Sequence, residues 1–225
     1  MFTKITLENF RSFDHIELDL TEKGNTAKHL AILYGENGAG KSNLMSAFVL
    51  LPELTRTMDA RAAYERILAQ GAIFQDENME KEMREHIRQR LRDMSAIIKD
   101  YQMADCENPI IAEYEFNIDG NNGCYRVEFG QDEILHERLE FVLNRRRGLY
   151  FDCSVTGINI NDSIVEKEQG KEFLTDVKEM AKRYWGKHSL LAILIYEMKD
   201  KSNSFGRDNI TENFNAVLNE FRNLS

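Results

Sequence analysis

The chain has 225 residues, with 29 Lys and Arg against 38 Asp and Glu, for a formal net charge of −9. A hydrophobic share of 42% can build a core and excludes global disorder, while 2 prolines and 13 glycines exclude collagen-like or low-complexity sequence. Cys106, Cys124 and Cys153 stand far apart with no CxxC pair, which excludes a zinc motif and a disulfide framework and points to a reducing, cytoplasmic compartment.

The opening Met1–Glu8 lacks the apolar stretch of a signal peptide, and no apolar run approaches the length of a membrane span, so no membrane partner is expected. Phe2–Leu7 alternates with period two and predicts a strand; Ile16–Leu20 does the same, with Phe10–Asp14 as the turn between them. Residues 21–25 have loop composition. His29–Tyr34 is a continuous apolar run ending on Gly35, the pattern of a strand buried on both faces. Lys41–Leu51 predicts a helix, stopped near Pro52. Met79, Met83, Ile87, Leu91, Met94, Ile98 and Tyr101 then recur at helical spacing, with Arg84, Arg88, Arg90 and Arg92 on a solvated face.

From Pro109 the texture turns to strands: Ile111–Ile118, a turn over 119–123, Tyr125–Phe129, and a further pair, Ile134–Leu143 and Leu149–Val155, around Arg145-Arg146-Arg147. After Gly170 the pattern is helical at Phe173, Leu174, Val177, Met180 and Ala181. It is helical again at Phe214, Val217, Leu218 and Phe221, with a polar loop over Lys199–Asp208 between the two.

Gly35-Glu36-Asn37-Gly38-Ala39-Gly40-Lys41-Ser42 matches G-x-x-x-x-G-K-[ST], the phosphate-binding loop. The glycines let successive main-chain N–H groups converge on phosphate oxygens, and the helix that follows adds its unsatisfied amides and positive dipole end. Lys41 suits the β- and γ-phosphates as a compact cation, and the Ser42 hydroxyl suits Mg²⁺. ATP with Mg²⁺ is the expected cofactor.

Lys4-Ile5-Thr6-Leu7-Glu8-Asn9-Phe10-Arg11-Ser12-Phe13, followed by Leu33 to Asn43 around that loop, resembles the N-terminus of the RecF/SMC-like branch of ABC-type ATPases. Within that branch it is most similar to the ATP-binding proteins related to the overcoming-lysogenization-defect group. The resemblance is strong over residues 1–51 and loose beyond. It implies an α/β fold of P-loop NTPase type: the N-terminal lobe of an ABC-type head, with a mixed sheet and a helical and β-hairpin insertion. Its parts would be a strand–turn–strand and P-loop core over 1–51, the insertion over 52–165 and a helical segment over 166–225. It also implies that Gly35 to Ser42 and Asn43 hold the triphosphate, that Arg11 and Ser12 lie near the nucleotide, and that Ser42 binds the metal.

Heads of this branch pair through their nucleotides. A homodimer or a second ATPase head is therefore an implied partner, with DNA, RNA or an effector protein encoded nearby as further candidates in DNA repair or phage defence. Two parts are missing from the pattern. There is no LSGGQ-like signature, and no apolar strand ends in Asp-Glu; Leu191 to Glu197 comes nearest, has Tyr196 where the aspartate belongs, and reads as a helix. Catalytic residues are therefore unassigned, and ATP hydrolysis is expected only if a C-terminal lobe completes the head. A Q-loop glutamine has one weak candidate, Gln75. A non-catalytic interaction module and a small self-sufficient P-loop kinase or NTPase are the alternatives.

Overall fold

The structure is a computed structural model that describes residues 1–22, 26–70, 92–143, 145–166, 170–200 and 210–222. The long helical pattern from Met79 falls mostly outside the described residues, as do Gln75, Arg84, Arg88, Arg90 and most of the polar loop after Lys199.

Alternating apolar residues produce β1 (Phe2–Phe10) and β2 (Phe13–Asp19), joined by the two-residue turn at Arg11 and Ser12. The later strands are β3 (Ile110–Ile118), β4 (Asn121–Phe129), β5 (Ile134–Leu143), β6 (Arg146–Ser154) and β7 (Gly157–Ile160). They form one seven-stranded sheet in the order β2-β1-β3-β4-β5-β6-β7. Every ladder is antiparallel, including β1 with β3, where Ile5 faces Tyr114. β7 is too short for its periodicity to stand out in the sequence.

Strand parity divides the sheet into two faces. Ile5, Leu7, Ala112, Tyr114, Phe116, Tyr125, Val127, Leu139 and Phe141 point to the helices and are fully buried or nearly so. The opposite face is a ladder of paired charges, with Arg126 between Glu113 and Glu128, and Arg138 between Glu140 and Asp152.

Five α-helices are described: α1 (Lys41–Gln70), α2 (Met94–Tyr101), α3 (Gly170–Tyr184), α4 (Leu190–Asp200) and α5 (Glu212–Arg222). α1 does not stop at Pro52; it runs through it. A proline inside a helix removes one main-chain bond and crowds the preceding turn. Here tertiary packing holds the segment: Leu50, Leu51 and Leu54 are fully buried, the Tyr114 hydroxyl donates to Ala47 O at 2.7 Å, and the Ser189 hydroxyl donates to Leu54 O at 2.8 Å. α5 is pinned to the sheet by Phe221, whose ring packs against Phe2, Phe116 and Tyr125. Leu190 to Tyr196 lies in α4, so it is not a strand.

A fully buried acid sits inside this core. Glu137 shares the inward parity of Leu139 and Phe141 and is fully buried. Its carboxyl accepts from the Tyr125 hydroxyl (3.0 Å), Trp185 Nε1 (3.0 Å) and the Leu190 amide (2.7 Å), so it caps α4 from the sheet. Burial pushes its pKa up to about 7 against the pull of these donors.

The run His29–Tyr34 departs from its sequence pattern: it is not a strand in this structure. Leu30, Ile32 and Tyr34 are 75%, 61% and 86% exposed. Its composition suits burial, but none of the described strands pairs with it.

Candidate nucleotide-binding site

The phosphate-loop motif occupies the connection between this unpaired run and α1. Gly38 and Gly40 adopt φ of 88° and 83°, the left-handed region that a side chain resists. Gly40 is constrained further, because a Cβ there would lie 2.7 Å from the Phe13 ring and 3.3 Å from Ser12 Oγ. The turn closes with Ala39 N donating to Glu36 O at 3.2 Å, and α1 begins with Leu44 N donating to Gly40 O at 2.9 Å. The first turn of α1 carries no acidic residue, which leaves its amides and dipole free to attract an anion.

The one cationic group and the one hydroxyl of the motif, on Lys41 and Ser42, both stand at this helix start. Lys41 is half-buried, and its ammonium donates to Gly35 O and Glu36 O at 2.6 Å each, folding back onto its own loop. Ser42 is exposed. Asn43 Nδ2 donates to Ser12 Oγ at 2.8 Å, which ties the β1–β2 turn to α1. Ser12, Phe13, Gly40 and Asn43 therefore form one buttress, and Phe13 is the member that motif reading did not single out. Its place directly after Arg11-Ser12 was the available signal.

Arg11 takes a different direction. Its backbone is left-handed (φ 53°), its amide donates to Tyr101 O at 2.8 Å, and its guanidinium lies 5.0 Å from the Tyr101 ring centroid. Among the described residues its buried Nε has no hydrogen-bond partner. Tyr101 in turn donates to Glu53 on α1 at 2.9 Å, and Arg92 pairs with the same carboxylate at 2.9 Å. Burial raises the Glu53 pKa although Tyr101 and Arg92 both pull it down. Arg11 is thus joined to α1 through Tyr101 and Glu53, whereas Ser12 meets the loop directly.

Beside the loop runs an open trough of about 1100 Å³, walled by Ala31, Ile32 and Leu33 on one side and Met45, Phe48 and Val49 of α1 on the other. Lys41 and Ser42 stand at its end. A cradle held open by two left-handed glycines, a lysine and a free hydroxyl at a helix N-terminus fits a triphosphate with its divalent cation. Among the described residues no cluster of three or more His, Cys, Asp or Glu could hold a metal on its own.

The other residues weighed from sequence have structural places. Trp185 is the Glu137 donor, Cys153 is buried and Cys124 half-buried on β4, and Arg147 pairs with Glu140 on the charged face. None of the described helices is long and apolar enough to cross a membrane.

An α/β domain with a phosphate-loop motif opening its longest described helix is an ATPase-type nucleotide-binding domain in architecture. The chain belongs to the AAA ATPase domain family, which matches residues 1–222. It is also similar to a DNA replication and repair protein RecF from Bacillus mycoides (strain KBAB4), with 41% identity over 49 residues. That match covers 22% of this chain and 12% of the RecF protein.

Proposed function

We propose that this chain is an ATP-binding segment of a RecF/SMC-like ABC-type ATPase, related to the overcoming-lysogenization-defect group. On this reading nucleotide binding gates pairing with a second head in a DNA-repair or phage-defence assembly. The observation that carries the reading is the loop itself: Gly38 and Gly40 at positive φ, Lys41 and Ser42 opening α1, and the Ser12–Phe13 turn packed behind. Main-chain amides from Gly38 to Asn43 hold the phosphates, the Lys41 ammonium exchanges its loop carbonyls for phosphate oxygens, and the Ser42 hydroxyl faces Mg²⁺. The Mg²⁺-bound triphosphate supplies the labile phosphoanhydride; this chain's residues position it and neutralise its charge.

Hydrolysis belongs to the assembly in this reading. The described residues walling the trough beside Ser42 include no carboxylate to orient water or complete a metal shell. Calorimetric titration with Mg²⁺–ATP tests the proposal: the native chain binds, and Lys41→Ala loses at least tenfold in affinity. Equal binding by both, or binding by neither, refutes it. A rise in molecular mass on adding ATP, measured by light scattering, tests the pairing.

A further inference from the structure

Asn9 lies inside β1, yet its backbone is left-handed at φ 52°, and Arg11, two residues on, is at 53°. Asp119 and Arg145 share that conformation, but they sit where β3 turns into β4 and β5 into β6, and there it is ordinary. Arg11 takes the first position of its two-residue turn, which hairpins commonly give to glycine. Asparagine is one of the few side chains that tolerate the left-handed region, and inside a strand it resets the alternation of faces.

The reset is visible in burial. Ile5 and Leu7 point to the helices, so strict alternation would send Asn9 inward and Phe10 to the charged face. Phe10 is instead fully buried and stacked on the Tyr101 ring, with centroids 5.2 Å apart. The bend therefore decides where the following turn is placed. That turn carries Ser12, which accepts from Asn43, and leads to Phe13, whose ring stands against Gly40. A one-residue slip would put Ser12 where Phe13 belongs.

Residues 101–109, which lead from the end of α2 to β3, hold the bend. Met103 N donates to Asn9 O at 3.2 Å, Asn9 Nδ2 donates to Pro109 O at 2.8 Å, and the Cys106 thiol donates to Asn9 Oδ1 at 3.6 Å. Gln102 Nε2 closes this platform on Cys106 O at 2.8 Å. The carbonyl and both side-chain polar atoms of Asn9 thus go to one segment, and the Arg11 amide joins them on Tyr101 O. A disfavoured backbone conformation persists only where its surroundings hold it in this way.

We infer that Asn9 is a positioning residue for the triphosphate: its left-handed bend, held by residues 101–109, seats Ser12 and Phe13 behind the phosphate loop and so fixes the direction of the Gly40 and Lys41 amides. The role rests on the nucleotide reading. Asn9 acts through the turn, not by contact with the anion, and the segment after α2 becomes part of what prepares the loop for its ligand.

The test is calorimetric titration of the full chain with Mg²⁺–ATP, each variant held below the onset of unfolding shown by far-UV circular dichroism. Asn9→Ala weakens binding by about fivefold or more, because the loop is no longer pre-organised. Asn9→Gly, to which the bend comes without strain, stays within about twofold of the native chain. Phe13→Ala weakens binding as well, and adding Asn9→Ala to it costs less than about twofold more, since both act along one path. Should Asn9→Ala not fold, Asn9→Asp is read in its place: it tolerates the bend but sets an acceptor against Pro109 O, and it loses about threefold. A lower melting temperature with unchanged affinity, a glycine variant as weak as the alanine one, or fully additive losses with Phe13→Ala overturns the role. No binding by the native chain, or equal binding by Lys41→Ala, sinks the nucleotide reading and this role with it. Lys41-dependent binding that ignores Asn9→Ala sinks this role alone.

Discussion

Asn43 donates its side-chain amide to the hydroxyl of Ser12 at 2.8 Å, so the second turn-residue of the N-terminal hairpin is fastened to the first turn of α1. The two residues are 31 positions apart, and their contact joins the two sequence stretches that carry the family resemblance. The bond is solvent-accessible, so its coupling free energy is about 0.5–1 kcal/mol. A double-mutant cycle with Ser12→Ala and Asn43→Ala, followed by urea unfolding, measures it. Additive effects would show that the contact holds nothing.

Gly38 and Gly40 have nearly the same φ but different surroundings. Nothing lies within 4 Å of a Cβ on Gly38, whereas one on Gly40 meets the Phe13 ring at 2.7 Å. Gly38→Ala is expected to cost only the left-handed backbone penalty, about 1–2 kcal/mol. Gly40→Ala costs more, displaces the β1–β2 turn and weakens ATP binding further. Phe13→Leu restores part of the Gly40→Ala loss and none of the Gly38→Ala loss. Thermal melts of the four variants decide it.

Glu137 makes stability depend on pH. Its folded pKa of about 7 lies above the usual 4.5, so the folded chain holds a proton that the unfolded chain releases between those values. Its stabilisation is complete below pH 4.5 and is lost as pH rises through 7, by on the order of 3 kcal/mol. Buried His188 acts with the opposite sign, since burial pushes its pKa down to about 4, and its contribution is lost as pH falls from 6.5 towards that value. Denaturant midpoints from pH 4 to 8 should therefore show Glu137→Gln abolishing the decline toward neutral pH and leaving the acid-side loss due to His188. A native-like decline in Glu137→Gln would refute the assignment.

Ile32→Asp should change the stability of the chain alone by no more than about 0.5 kcal/mol, as at other exposed sites. Leu51→Ala, in the buried stretch of α1, should cost about 2–5 kcal/mol. Comparable losses in guanidinium unfolding would mean that the run 29–34 is buried in solution.

Much of this was legible in the sequence because the signals are local. The phosphate loop is specified by glycines at fixed spacing, and the strands by alternation such as that of Glu113 to Phe116. What escaped depends on distant partners. Pro52 is a stop signal by itself, yet Tyr114 and Ser189, both remote in sequence, hold the helix around it. His29–Tyr34 advertises a need for burial, but hydrophobicity does not say whether a neighbouring strand is present. Glu137 was detectable in principle, as a lone acid at the inward parity of Leu139 and Phe141. Recognising it required knowing that the start of α4 would arrive over β5.

Two of the three N–H donors of the Lys41 ammonium are already taken by Gly35 O and Glu36 O. An anion that draws the ammonium off its loop trades against two existing bonds and leaves two carbonyl oxygens to water. Orthophosphate, with few oxygens to offer, gains little from that exchange. On the proposed nucleotide reading, a longer polyphosphate that reaches the α1 amides as well recovers the loss, which favours a long phosphate chain over a short one.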